Sequence, residues 1–311
     1  MNTSAPSDAN PASPQLRELF PGFEASGRVI DGVEIPFVTA GSGPPLLLLH
    51  GFPQTRAIWH KVAPRLAERF TVVASDLRGY GDASKPASAP DHSSYAKRAM
   101  AADQVGLMRA LGHERFALVG HDRGGRVAHR LAIDHPGALS RVAVLDICPT
   151  LAMYEQTDME FATAYFHWFL LIQPAPLPER LIGADPEFYL GRHMGGRSAG
   201  LAPFSPPAWR EYVRAASNPE AVRAMCEDYR AAATIDLEHD RADREAGRRI
   251  ECPLLALWGR NGVIERCFDA LGEWRKVARD VRGRALECGH YVPEEAPEAL
   301  VAELEQFLVR E

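Results

Sequence analysis

The sequence predicts an α/β protein built on a mostly parallel sheet with helices on both faces. Three observations carry this. Short apolar runs recur at 46–49, 70–74, 116–119, 141–145 and 254–258, and they alternate with helix-like stretches. Unbroken apolar runs suit strands buried on both faces, whereas a sheet with one wet face would alternate apolar and polar residues. His50, Asp76, Asp122 and Asp146 all stand just past the ends of such runs. Ligands of open parallel sheets bind beyond the carboxyl ends of the strands, so these four residues belong on one rim.

Taken in chain order, residues 1–15 are rich in Ser, Ala, Pro and Asn and read as a disordered tail. They lack the basic start and apolar stretch of a secretory signal. The sheet-bearing core spans 16–150 and 248–311. Its first run follows Pro44-Pro45 and closes at His50-Gly51-Phe52-Pro53; its second closes on the segment 76–81, where Asp76 is read as structural, holding the loop 79–85. Between 151 and 247 the rhythm breaks into a stretch rich in aromatics, Pro and Arg, with a helix expected over 220–233. This stretch reads as a mainly helical cap inserted between the fourth and fifth runs. No internal repeat is visible.

Composition narrows the function classes. A chain of 311 residues with 46% hydrophobic content fits one large α/β domain, or a core with a smaller insertion. A net charge of −6 and the absence of basic runs give nucleic acid and membrane surfaces no support. No apolar run approaches the roughly 18 residues a bilayer span needs. Cys148, Cys226, Cys252, Cys267 and Cys288 are scattered, odd in number and without a C-x-x-C pair. They read as hydrophobes in a reducing compartment, so the expectation is a cytoplasmic protein with no disulfide framework, metal or cofactor.

The third run leads into Gly120-His121-Asp122-Arg123-Gly124-Gly125 and then a helical segment. Small residues flanking one side chain at a sharp strand-to-helix turn make a nucleophile elbow, G-x-S-x-G when the nucleophile is serine. Aspartate occupies that position here. A carboxylate suits attack on a saturated carbon and leaves an ester on the enzyme. Hydrolysis of that ester needs a base to activate water and an acid to orient the base. His290 follows a short strand and Gly289 near the end of the chain and is the expected base. The place after the fifth run, where the acid would be looked for, holds Asn261. Asp146 is therefore the preferred acid, with Glu265 the fallback. The backbone N–H groups of Phe52 and Arg123 are the expected oxyanion hole. His50 reads as a loop-shaping residue.

These residues resemble the α/β-hydrolase superfamily over about residues 20–310. The matches are LLLLHGFPQT (46–55), SDLRGYGDASKP (75–86), LVGHDRGGRVAHRLA (118–132) and CGHYVPEEAPE (288–298). Soluble epoxide hydrolases and haloalkane dehalogenases share the HGFPQT and GHD elements. HDRGGR followed by FHWF (166–169) resembles the fluoroacetate dehalogenases. That resemblance implies an α/β-hydrolase fold with Asp122 as nucleophile, Asp146 and His290 completing a triad, and a haloacetate substrate. It also implies His167, Trp168 and Tyr229 as a halide pocket, and a homodimer. The physical case for an acidic substrate stands beside it: Arg123 and Arg126 share the first turn of the helix behind the nucleophile. Two guanidiniums there would grip a substrate carboxylate and hold its α-carbon against Asp122. The alternative is epoxide hydrolysis from the same aspartate, with acids drawn from Tyr154, Tyr165, Tyr189, Tyr212 and Tyr229.

Overall fold

The computed structural model describes residues 13–197 and 199–309. Eight strands, β1 (Glu24–Ile30), β2 (Val33–Ala40), β3 (Pro45–Leu49), β4 (Thr71–Ser75), β5 (Phe116–His121), β6 (Leu139–Leu145), β7 (Leu254–Gly259) and β8 (Val281–Leu286), form one sheet in the order β1-β2-β4-β3-β5-β6-β7-β8. From β4 across to β8 every pairing is parallel. All five expected runs are strands. Leu46, Leu47, Leu48 and Leu49 are fully buried, and β5 is buried along its whole length, as strands covered on both faces must be.

The β1–β2 hairpin is a feature the apolar runs do not announce. It pairs antiparallel with itself and then, through β2, with β4. Its turn is Asp31-Gly32, both at positive φ (45° and 83°). An Asp-Gly pair of that kind is a strong hairpin signal, because the turn twists with the strands it joins.

Most of the expected tail, residues 1–12, lies outside the described residues. Its last residues depart from the expectation: Ser13 caps a helix, Pro14–Leu19, by accepting a hydrogen bond from the Leu16 N–H. Leu16 and Leu19 bury themselves in the core, which holds this helix on the fold.

Between β6 and β7 the described residues form eight helices and no strand, from Thr150–Glu155 to Ile235–Glu245. The prolines that break the rhythm of the sequence start helices rather than interrupt them. Pro186, Pro206 and Pro219 each sit at the first helical position, where no N–H is required. Asp185, Ser205 and Asn218 cap the same helices through their side chains. The helix expected over 220–233 is Pro219–Ala233.

Candidate active site

β5 ends at His121, and Asp122 turns the chain into the helix Arg123–Asp134. Its φ of 47° and ψ of −112° are strained for a residue with a side chain. The neighbouring glycines permit the turn: a Cβ on Gly120 would strike the backbone of Gly124 and Gly125, and one on Gly124 would strike Leu49 and His50. Asp122 is 1% exposed. Its Oδ1 accepts the Phe52 N–H at 2.9 Å, while Oδ2 has no hydrogen-bond partner.

Asp146, just past β6, also adopts positive φ (51°). Its Oδ1 accepts the Gly259 N–H at 2.9 Å, and its Oδ2 accepts from His290 Nδ1 at 2.5 Å. With Nδ1 donating, the neutral imidazole leaves Nε2 as an acceptor. That nitrogen has no hydrogen-bond partner and lies 3.9 Å from Asp122 Oδ2. The His290 backbone is pinned from both sides: its N–H donates to the Arg197 carbonyl at 3.0 Å, and its carbonyl accepts from His121 Nε2 at 2.8 Å. Asp122, Asp146 and His290 are thus brought together. Glu265 is not: it bonds Trp258 and Arg260 at the surface.

Burial opposes charge throughout this site, and the exceptions are informative. It would raise Asp122, but His290, Arg197, His121 and Arg126 outweigh it and hold the carboxyl well below the usual range. Burial also keeps His290 and His121 neutral, lowering both, so the guanidiniums are the charges that sustain the Asp122 anion at neutral pH. Burial pushes Asp146 up to about 7.

The two expected guanidiniums differ in their surroundings. Arg123 is fully buried and forked onto Asp228, with Nε to Oδ2 at 2.9 Å and Nη2 to Oδ1 at 2.7 Å; Nη1 is left without a partner. Asp228 is held in turn by Lys97 and by the Tyr80 hydroxyl. Arg126 bonds the Cys148 carbonyl and the Thr150 hydroxyl and contacts Met153 Sδ, but its Nε is unpartnered. Among the described residues no carboxylate ion-pairs with it. Its charge is retained against burial and against Arg123.

His167, Trp168 and Tyr229 are all fully buried. Both nitrogens of His167, the Trp168 indole N–H and the Tyr229 hydroxyl lack partners. The Trp168 ring lies 4.6 Å from the Arg126 guanidinium and the Tyr229 ring 4.2 Å from that of Arg123. Phe52 joins this group to the nucleophile, since its ring packs against His167 and Tyr229 while its N–H holds Asp122. His50 shapes the oxyanion loop as expected, accepting from the Leu77 N–H and donating to the Gly51 carbonyl. Asp76 receives the N–H groups of Arg56 and Asp82.

Sequence reasoning missed Asp228 and Arg197. Asp228 had a signal, a carboxylate beside Tyr229 on one helix. Arg197 had none, because its relevance depends on where its loop is carried.

The alpha/beta hydrolase fold family matches residues 44–297. A fluoroacetate dehalogenase from Burkholderia sp is 47% identical over 291 residues, covering 93% of this chain and 95% of the relative. A soluble epoxide hydrolase from Corynebacterium sp. (strain C12) is 36% identical, with 88% and 93% covered. A crystal structure of an alpha/beta hydrolase candidate from Nostoc sp PCC 7120 superposes with a TM-score of 0.92 at 55% identity, covering 93% of this chain and 99% of that one. The fold, the matched span and these full-length likenesses agree, and the chain belongs to the α/β-hydrolase fold family.

Proposed function

We propose that the protein is a haloacetate dehalogenase that converts fluoroacetate and related haloacetates to glycolate and halide through an ester on Asp122. The observation that carries this reading is a buried, ionised aspartate surrounded by partnerless donors of two kinds. Arg123 Nη1 and Arg126 Nε are free to bond a carboxylate, and His167, Trp168 and Tyr229 offer free polar atoms to a halide. Buried polar groups without partners are costly, and a small haloacid satisfies both sets at once. The likeness to a Burkholderia fluoroacetate dehalogenase supports the same substrate class.

Because Oδ1 is engaged by Phe52, the attacking atom is Oδ2. It displaces halide from the α-carbon in line, and the C–X bonding pair leaves with the halide, whose growing charge meets the three donors. His290 Nε2 then takes a proton from water, and the resulting hydroxide adds to the ester carbonyl. The oxyanion forms against the Phe52 N–H, with the Arg123 N–H as second donor. Collapse expels the 2-hydroxy acid, which keeps Asp122 Oδ2, and the proton returns through His290.

Fluoride release from fluoroacetate by wild type and by Asp122→Asn tests the reading. The substitution is expected to lower the rate at least about 10³-fold. In a single turnover in heavy-oxygen water the product should carry light oxygen; direct labelling of product would exclude the ester.

Epoxide opening from the same aspartate is a second reading, favoured by the unpartnered hydroxyls of Tyr154 and Tyr229 and by the Corynebacterium relative. Diol formation from an epoxide without fluoride release would select it. The cap role of the helices between β6 and β7, a cytoplasmic location and a homodimer complete the proposal. Exposed Phe166, Leu177, Leu181 and Phe188 on those helices supply apolar surface for a dimer, which light scattering would detect.

A further inference from the structure

A third guanidinium stands at this site with no role in the scheme above. Arg197 follows the helix Pro186–Gly195 and is half-buried as a residue, yet its Nε and Nη2 are closed off from solvent and have no hydrogen-bond partner. Nη1 meets His193 Nε2 at 3.1 Å, and the guanidinium lies 4.4 Å from the Tyr165 ring centroid. No carboxylate among the described residues ion-pairs with it. Asp122 is the carboxylate whose charge reaches it, and the two unbonded donors remain to be satisfied by a second anion.

The surroundings say where that anion comes from. Arg197, Tyr165 and His290 line one end of a cavity of about 420 Å³ whose wall also includes Arg266 and Glu287. The side chains of Arg266 and Glu287 are 48% and 77% exposed, whereas Tyr165 is 1% and His290 2% exposed. The cavity wall therefore includes both exposed side chains and the buried Tyr165 and His290. The Arg197 carbonyl also accepts the His290 N–H, so its backbone is tied to that of the histidine.

We propose that Arg197 is a receiving site for small monocarboxylate anions at the inner end of this cavity, handing them to Arg123 and Arg126 and taking the product carboxylate on its way out. This rests on the dehalogenase reading for the identity of the anion, but not for its binding. A carboxylate met by a guanidinium as it leaves water is not buried without a counter-charge. The influence of Arg197 on Asp122 agrees with its placement, its guanidinium being one of the charges that lower that carboxyl.

The kinetic test compares wild type with Arg197→Gln and Arg197→Lys on fluoroacetate. The glutamine variant is expected to raise KM about tenfold and to flatten the fall of kcat/KM with ionic strength. The lysine variant, which keeps the charge, should recover most of the loss. An unchanged KM in Arg197→Gln, or no recovery in Arg197→Lys, would overturn the proposal. The binding test needs no turnover and uses acetate as the probe. Acetate should raise the melting temperature of wild type and Arg197→Lys more than that of Arg197→Gln; equal shifts in all three would overturn the proposal. Absence of fluoride release by wild type, with the acetate difference intact, would remove the dehalogenase reading and leave the anion site standing.

Discussion

The rim of the sheet and the helical layer above it satisfy their polar atoms very differently. On the rim, Asp146 uses both oxygens, on Gly259 and His290, and Asp122 uses one on Phe52. The two facing atoms, Asp122 Oδ2 and His290 Nε2, are open. Across from them, His167, Trp168, Tyr229 and Arg197 come from the segment between β6 and β7, and each carries at least one buried polar atom without a partner. The Asp122–His290–Asp146 group bonds mainly within itself and to the backbone, whereas the facing helices leave more of their buried polar atoms free. Nucleophile and base must be held by the protein in every state, but substrate donors must be free when substrate arrives.

That contrast yields predictions, ordered by size. His290→Asn removes the base from the rim. It should stop turnover by about 10³-fold or more while the first step proceeds, so intact-protein mass spectrometry after fluoroacetate addition should find a glycolyl adduct. An unmodified protein would break the division of labour between nucleophile and base. Trp168→Phe and Tyr229→Phe remove single donors from the facing helices and keep the rings that face Arg126 and Arg123. Each should slow fluoride release by about 10–10²-fold, with a smaller loss for bromoacetate, whose leaving group needs less help. Equal losses for both halides would place these donors elsewhere.

The rim also sets a pH dependence. Burial raises Asp146 to about 7, and it must be ionised to keep the proton on His290 Nδ1. Protonation increases as pH falls, so ester hydrolysis should slow about tenfold per unit well below 7 and level off above it. A rate independent of pH between 5 and 8, read by rapid quench, would reject this, both limits being approximate bounds on the window where such a group titrates. The smallest effect belongs to Glu265→Gln. This side chain bonds surface partners rather than His290, and activity should stay within about twofold of wild type.

Much of the rim was legible before the structure, for a local reason. An apolar run followed by a polar residue in a tight turn marks both a buried strand and its exit, so Asp122, Asp146 and His290 could each be placed at a strand end. Asp146 rather than Glu265 meets His290 because it stands at a strand end on the same rim, where the Gly259 N–H also bonds it. The hairpin β1–β2 escaped a reading based on apolar runs, because its strands have mixed burial, although Asp31-Gly32 marks its turn.

The chain by itself determined the parallel sheet, the strained elbow carrying a carboxylate, and the pair of arginines on the next turn, because each is a pattern within a few residues. Tertiary structure alone decided that Asp228 neutralises one of those arginines, and that Arg197 comes to rest beside the triad. Asp228 lies 105 positions from Arg123, and the Arg197 carbonyl binds a backbone far along the chain at His290. Which charge meets which depends on the packing of helices against the sheet edge, and no local spacing encodes that.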